Sequence, residues 1–230
     1  MLKELSKNQI DKEMDFYFKV KRDKPFVYNE GDTEIIFCVK NSLSDKGHSH
    51  LIARLLNKYY GYTMLCNVSK NEVKLKQIEA LSGNNSKNEE EVKKSNKKKE
   101  SFCDRLASFS QSYKPIIMIE LDCKHFADLT AVSLCSNLGK TLFDDTEILQ
   151  EMVFALNNYR INNINFNSSQ KDSSLATWIC ENLHKKALKI EINEKFLQNG
   201  KNIVKIVNAL HLFCQTLRQR EVVRARHIDI

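Results

Sequence analysis

Side chains able to do chemistry gather at the ends of three short apolar runs. After EIIFCV (34–39) come Lys40, Asn41 and Ser42, then Asp45, Gly47, His48 and His50. After IIMIEL (116–121) comes Asp122-Cys123-Lys124-His125. In KALKIEIN (186–193), Glu191 stands between Ile190 and Ile192. His48 and His50, two apart at the start of a helical pattern, read either as metal ligands or as ordinary polar residues at a helix entrance. His125, beside Asp122 and Cys123, could complete a Cys/His/Asp metal set or form a Cys-His nucleophilic pair, where a neighbouring imidazole activates the thiol. A carboxylate inside an apolar strand is costly unless something compensates it. Glu191 therefore reads either as a site group that moves protons or as the partner of a lysine at the sheet surface. His184 and His211 fall on helix faces, and Trp178 lies among apolar neighbours; these read as structural.

Hydrophobic periodicity gives the elements that must position these groups. EIIFCV, IIMIEL and KALKIEIN are continuous apolar stretches of strand length, the pattern of strands buried on both faces. YTMLCNV (62–68) is a further strand candidate. Residues 49–60, SHLIARLLNKYY, place Leu51, Ile52, Leu55, Leu56 and Tyr59 at helical spacing, with Gly61 where a C-terminal cap belongs. Helical patterns recur at 101–110, at 145–159, at 174–183 behind Ser173 or Ser174 as N-cap, and at 203–217. Strand and helix alternate, which predicts an α/β fold built on a mainly parallel sheet with helices on both faces. In such sheets, ligands bind at the carboxyl ends of the strands. The predicted organisation is an N-terminal extension (1–33, with a short helix up to Val20), one α/β domain (34–217) and a C-terminal tail (218–230). The tail would fray or pair as an edge strand. GNNSKNEEEVKKSNKKKE (83–100) has almost nothing to bury and reads as a solvated polar insertion within the domain.

Composition narrows the function classes. The chain has 230 residues, a formal net charge of +7 and seven cysteines. The positive charge is diffuse and lacks an aromatic-interleaved basic stripe, which argues against a nucleic-acid partner. No run reaches the roughly 18 consecutive apolar residues of a membrane span, and MLKELSKNQIDKEMDF lacks the apolar stretch of a signal peptide. The cysteines are odd in number, widely spaced and without a CxxC pair, which suits a reducing, cytoplasmic setting rather than a disulfide framework or zinc ribbon.

Taken in order, FCVKNSL, SDKGHSHLIARLL, IIMIELDCKH and SSLATWICENLHKKALKIEI resemble the N-formylglutamate amidohydrolase-like family. That family belongs to the zinc-carboxypeptidase-like phosphorylase/hydrolase fold. Its pattern is an apolar strand ending in Pro-His, an acidic-Gly helix entry, a later strand ending in Asp-x-His-Gly, and a near-terminal Glu-bearing strand. The resemblance spans about residues 34–217 and rests on order and spacing. It implies a phosphorylase/hydrolase-like fold, zinc as the cofactor, and Glu191 as the catalytic proton-shuttling group. It also marks Asn41, Asp45, Asp122 and His125 as ligand-binding positions. The departures fall on the metal ligands: Asn41 stands at the first histidine, and Asp122-Cys123 at a His-Gly. A hydrolytic zinc needs about three protein ligands and an open position for water, and asparagine is a poor zinc ligand. His48, His50 and Asp122 are the candidates for a replacement metal site. The resemblance thus implies a divergent amidohydrolase-like protein, non-catalytic or weakly active, that binds a small amide ligand or a protein partner. The alternative is an active metal-dependent amidohydrolase, acting on an N-acyl amino acid or peptide-like amide through a rearranged site.

Overall fold

The computed structural model describes residues 6, 8–13, 26–40, 48–67, 101–166 and 174–228. Seven strands form one sheet: β1 (Phe26–Asn29), β2 (Asp32–Val39), β3 (Tyr62–Asn67), β4 (Ile117–Lys124), β5 (Val132–Cys135), β6 (Ile164–Phe166) and β7 (Ala187–Asn193). Their order across the sheet is β1-β3-β2-β4-β7-β5-β6. The central four, β3, β2, β4 and β7, run parallel. β1 joins β3 antiparallel, β5 joins β7 antiparallel, and β6 runs parallel to β5. The sheet is therefore mixed but parallel at its centre, as the continuous apolar runs require.

Each central strand sends alternate side chains to opposite layers. Ile35, Phe37, Ile117, Ile119, Leu188 and Ile190 face a layer built by α1 (His48–Tyr60), α3 (Glu147–Asn158) and α6 (Gly200–Ile228). Ile36, Cys38, Met118 and Ala187 face α2 (Phe102–Tyr113) and α4 (Leu175–Leu183), where Phe102, Leu106, Trp178 and Ile179 fill the gap. Helices thus cover both faces. Their limits are set locally. Ser101 and Asp104 form a reciprocal capping box at the start of α2, and Ser174 accepts from Thr177 N at the start of α4. A short helix, α5 (Glu194–Leu197), follows β7 directly, with Asn193 as its N-cap.

Gly61 ends α1 in the left-handed region at φ 73°, the cap expected of it. Gly31 is constrained differently: a Cβ there would lie 2.1 Å from the Gly61 carbonyl oxygen, because Asp32 N donates to that oxygen at 2.6 Å.

The edges of the fold depart from what periodicity suggests. β1 takes Phe26–Asn29 into the sheet from the segment read as an N-terminal extension. Before it, residues 8–13 are helical, and Glu13 pairs with Arg54 and Lys58 of α1. Residues 218–228 neither fray nor pair as a strand; they continue α6 to 29 residues. Ion pairs hold them: Arg218 pairs with Asp32 and Glu34, and Arg220 and Arg224 reach Asp145 at 3.2 and 2.9 Å. A charged side chain that is tied down completes a helix as well as an apolar one does. The polar insertion at 83–100 lies outside the described residues.

Candidate functional site

The carboxyl halves of β4 and β7 carry charge on a single face. β4 reads Met118, Glu120, Asp122, Lys124 along the α2/α4 side, and β7 reads Ala187, Lys189, Glu191, Asn193. Their parallel register sets Glu120 beside Lys189, Asp122 beside Glu191, and Lys124 beside Asn193. β5 closes the other flank, with Cys135 opposite Lys189 and Ser133 opposite Glu191. Met118 and Ala187 mark the end of the apolar layer, and the charged rows begin one step further along each strand.

Lys189 is the centre of the cluster. Its Nζ lies 2.7 Å from Glu191 Oε1 and 3.2 Å from Asp122 Oδ2, and Lys189 is 8% exposed. Burial opposes its charge, but Glu120, Asp122 and Glu191 outweigh burial and raise its pKa above the ordinary lysine range. Glu191 is 1% exposed. Burial pushes its carboxyl up, yet Lys189 and Lys124, which also pairs with it, hold it below the usual value. Glu120 is held differently. Its Oε2 accepts from the Ala176 N–H of α4 at 2.8 Å, at a helix end where a carboxylate is favoured. Burial still dominates and raises Glu120, with Lys189 and the Ala176 amide offsetting part of the effect.

The other candidate residues occupy different places. Asn41 and Asp45 lie outside the described residues. Asp122 and Glu191 are side by side. His48 and His50 start α1, which packs on the opposite layer of the sheet. His50 is buried, and burial, then Arg54, lowers its pKa to about 3. His125 follows the end of β4 and is exposed. Cys123 turns into the α1/α3/α6 layer, away from Asp122, so strand geometry separates this thiol from the charged face. Burial pushes the Cys135 thiol up to about 12 and Cys103 up to about 11, which leaves them inert near neutrality. None of the seven cysteines forms a disulfide. Asn193 is structural: it donates to the Thr130 carbonyl at 2.7 Å and caps α5. His211 stacks on Tyr60 and bonds Tyr62 Oη at 2.9 Å through Nδ1, and His184 ends α4 in the left-handed region. Sequence reasoning passed over Lys189 and Lys124. The signal was available: Lys-x-Glu in β7 and Glu-x-Asp-x-Lys in β4 each put their charges on one face at a period of two.

Several solved structures share this architecture. The gene product Atu2144 from Agrobacterium tumefaciens superposes with a TM-score of 0.55 at 10% identity, covering 90% of this chain and 99% of its own. N-formylglutamate amidohydrolase from Ralstonia eutropha gives 0.52 at 13% identity, covering 87% and 98%. A bacteriophage poly-gamma-glutamate hydrolase gives 0.51 at 8%, covering 84% and 89%. The chain has an amidohydrolase-like fold. No family model and no curated relative matches the sequence.

An amidohydrolase-like fold with zinc would need about three ligands converging on one point. Among the described residues, no group of three or more His, Cys, Asp and Glu side chains is placed to hold a metal. The carboxylates of the charged face are already engaged: one Glu191 oxygen receives two ammonium groups, and Asp122 receives one. A cation entering there would meet positive charge fixed to the backbone. The described residues do not fit a zinc centre. Among the described residues, no helix is long and apolar enough to cross a membrane.

Proposed function

We propose that this chain is a binding protein on an amidohydrolase-like fold, with little or no hydrolytic activity. Its ligand site would be the carboxyl edge of β4 and β7, where Asp122, Lys124 and Glu191 lie together. One observation carries this reading: the Glu191 carboxylate is held by two lysines. General-base catalysis works best when the base has a pKa near the operating pH. Glu191 is shifted the other way, so it takes up a proton poorly at neutrality. A small amide of the N-acyl amino acid type suits the site, because its carboxylate can pair with half-exposed Lys124 and its amide can bond the neighbouring carboxylates.

The test uses N-formylglutamate as probe, with protein purified without chelators. Calorimetry should detect saturable binding, weakened at least about tenfold by Lys124→Ala through loss of a charge-assisted contact. The probe should be recovered intact. Sustained formate release, or tightly held stoichiometric zinc, would establish an active metal-dependent amidohydrolase instead. No binding of the probe would leave a protein partner as the occupant, read by cross-linking at the same edge.

A further inference from the structure

The edge of β4 and β7 offers a small molecule one acceptor and one cation, because its other charged groups are closed off. Glu120 is 3% exposed and is held on the Ala176 N–H. The Glu191 side chain is 2% exposed, and its Oε1 already receives Lys124 and Lys189. Asp122 differs. Its side chain is 25% exposed, and Lys189 Nζ engages Oδ2 at 3.2 Å. Among the described residues, Asp122 Oδ1 has no partner. We propose that Asp122 determines specificity at this edge: its outer oxygen, Oδ1, accepts an N–H of the ligand, so that an amide is taken and the matching ester is rejected.

The geometry gives three reasons. First, the acceptor is fixed. The buried Lys189 ammonium tethers Oδ2 from the neighbouring strand, so Oδ1 is presented without the cost of ordering a mobile side chain. Second, a cation stands at the right interval. Lys124 lies two residues on along the same face of β4, with its side chain 44% exposed, a repeat of about 7 Å. Two hydrogen bonds of about 2.9 Å, with the single α-carbon that joins an N–H to a carboxylate, span that interval. An ammonium has three donors, so Lys124 can receive a ligand carboxylate while it stays on Glu191. Third, a carboxylate oxygen only accepts. An ester sets a second acceptor oxygen against Oδ1 and leaves it unpaired, and a site built around an N–H rejects the analogue that lacks one.

This inference rests on the small-ligand reading of the site and is tested separately from it. The experiment is calorimetry of the full chain with N-formylglutamate and with 2-formyloxyglutarate, in which an ester oxygen replaces the N–H. Wild type should bind the amide at least about tenfold more tightly than the ester, as expected of a hydrogen bond to a charged acceptor. Asp122→Ala leaves Lys189 paired with Glu191 and should bring the two affinities within about twofold of each other, by loss of affinity for the amide. If circular dichroism shows Asp122→Ala to be unfolded, Asp122→Asn replaces it. The asparagine carbonyl still accepts, but without charge, and the amide-to-ester ratio should fall at least about threefold. No saturable binding of N-formylglutamate by wild type overturns the small-ligand reading and this inference with it. Equal affinity of wild type for amide and ester, or a ratio unchanged in the folded Asp122 variant, overturns this inference alone and leaves that reading in place.

Discussion

His50 makes stability depend on pH in a window that few other groups share. It sits near the start of α1, 1% exposed, and burial, with Arg54 adding to it, lowers its pKa from 6.5 to about 3. The folded protein keeps this imidazole neutral, while the unfolded chain takes up a proton below pH 6.5. The stabilising contribution is thus present above the unfolded value and is lost as pH falls toward the folded one. Each pH unit well inside that interval costs about 1.4 kcal/mol, and less near pH 6.5 where the unfolded imidazole is half protonated, so moving from pH 6.5 to about 4.5 should remove roughly 2 kcal/mol. His211 is lowered in the same sense, mainly by burial, with Arg218 among the smaller causes, and adds to the slope. Burial raises Glu120 and Glu151, so they gain stability as pH falls and work against it. Glu13, Asp145 and Glu191 are held below their usual values, and their losses begin lower, within the carboxylate range. The difference between wild type and His50→Leu isolates the histidine. Urea unfolding followed by the fluorescence of Trp178, the single tryptophan, should show wild type losing roughly 2 kcal/mol more than the variant between those two pH values. Equal acid slopes in the two proteins would refute the argument.

Two further substitutions test how the fold is held. Gly31→Ala places a Cβ against the Gly61 carbonyl and forces apart the Asp32–Gly61 hydrogen bond; it should cost roughly 2–4 kcal/mol by urea unfolding. Gly61→Ala meets nothing within 4 Å and should cost only about 1 kcal/mol, through its positive φ. Asp145→Ala unties Lys186, Arg220 and Arg224 together. Because Arg224 remains 40% exposed, the loss should be about 2 kcal/mol rather than the roughly 3–5 of a fully buried pair. Hydrogen exchange should then show the last turns of α6 opening before the rest of that helix.

What the sequence discloses depends on which forces specify each part. The four central parallel strands are legible because burial on both faces demands unbroken apolar residues: EIIFCV and IIMIEL match β2 and β4 to within a few positions. β5 and β6 are four and three residues long. Their place beside β7 comes from pairing distant segments, which local periodicity does not record. α6 runs past its apolar stripe because Asp32, Glu34, Asp145 and Glu147 supply counter-charges from far along the chain. Within the site, the costly carboxylate at 191 was visible. Lys189, two residues before it on the same strand face, was legible as a partner, whereas Lys124 reaches it only through the register that sets β4 against β7.

That register also explains how such a site can be rebuilt without unmaking the fold. The apolar layer against α2 and α4 stops at Met118 and Ala187, while the opposite face stays apolar as far as Cys123 and Ile192. The charged rows beyond Met118 and Ala187 add little to the core, so their side chains can change as long as the local charge stays balanced. Burying a carboxylate alone is prohibitive, but a lysine at the adjacent position of the same strand face neutralises it in place. One Lys-x-Glu step in β7 satisfies that condition, and the parallel register sets Glu120 beside Lys189 and Asp122 beside Glu191. The sheet therefore constrains the sum of the charges at its carboxyl edge far more than the chemistry they perform, which is why an amidohydrolase-like fold does not by itself specify hydrolysis. If this is right, swapping the signs as a set, with Lys189→Glu and Glu191→Lys together, should keep the fold. Lys189→Glu alone should destabilise it by several kcal/mol, because it adds a fourth acid beside Glu120, Asp122 and Glu191 and leaves Lys124 paired with Glu191 only. Equal stability of the single and double variants would show that the balance of charge at this edge is not what the sheet requires.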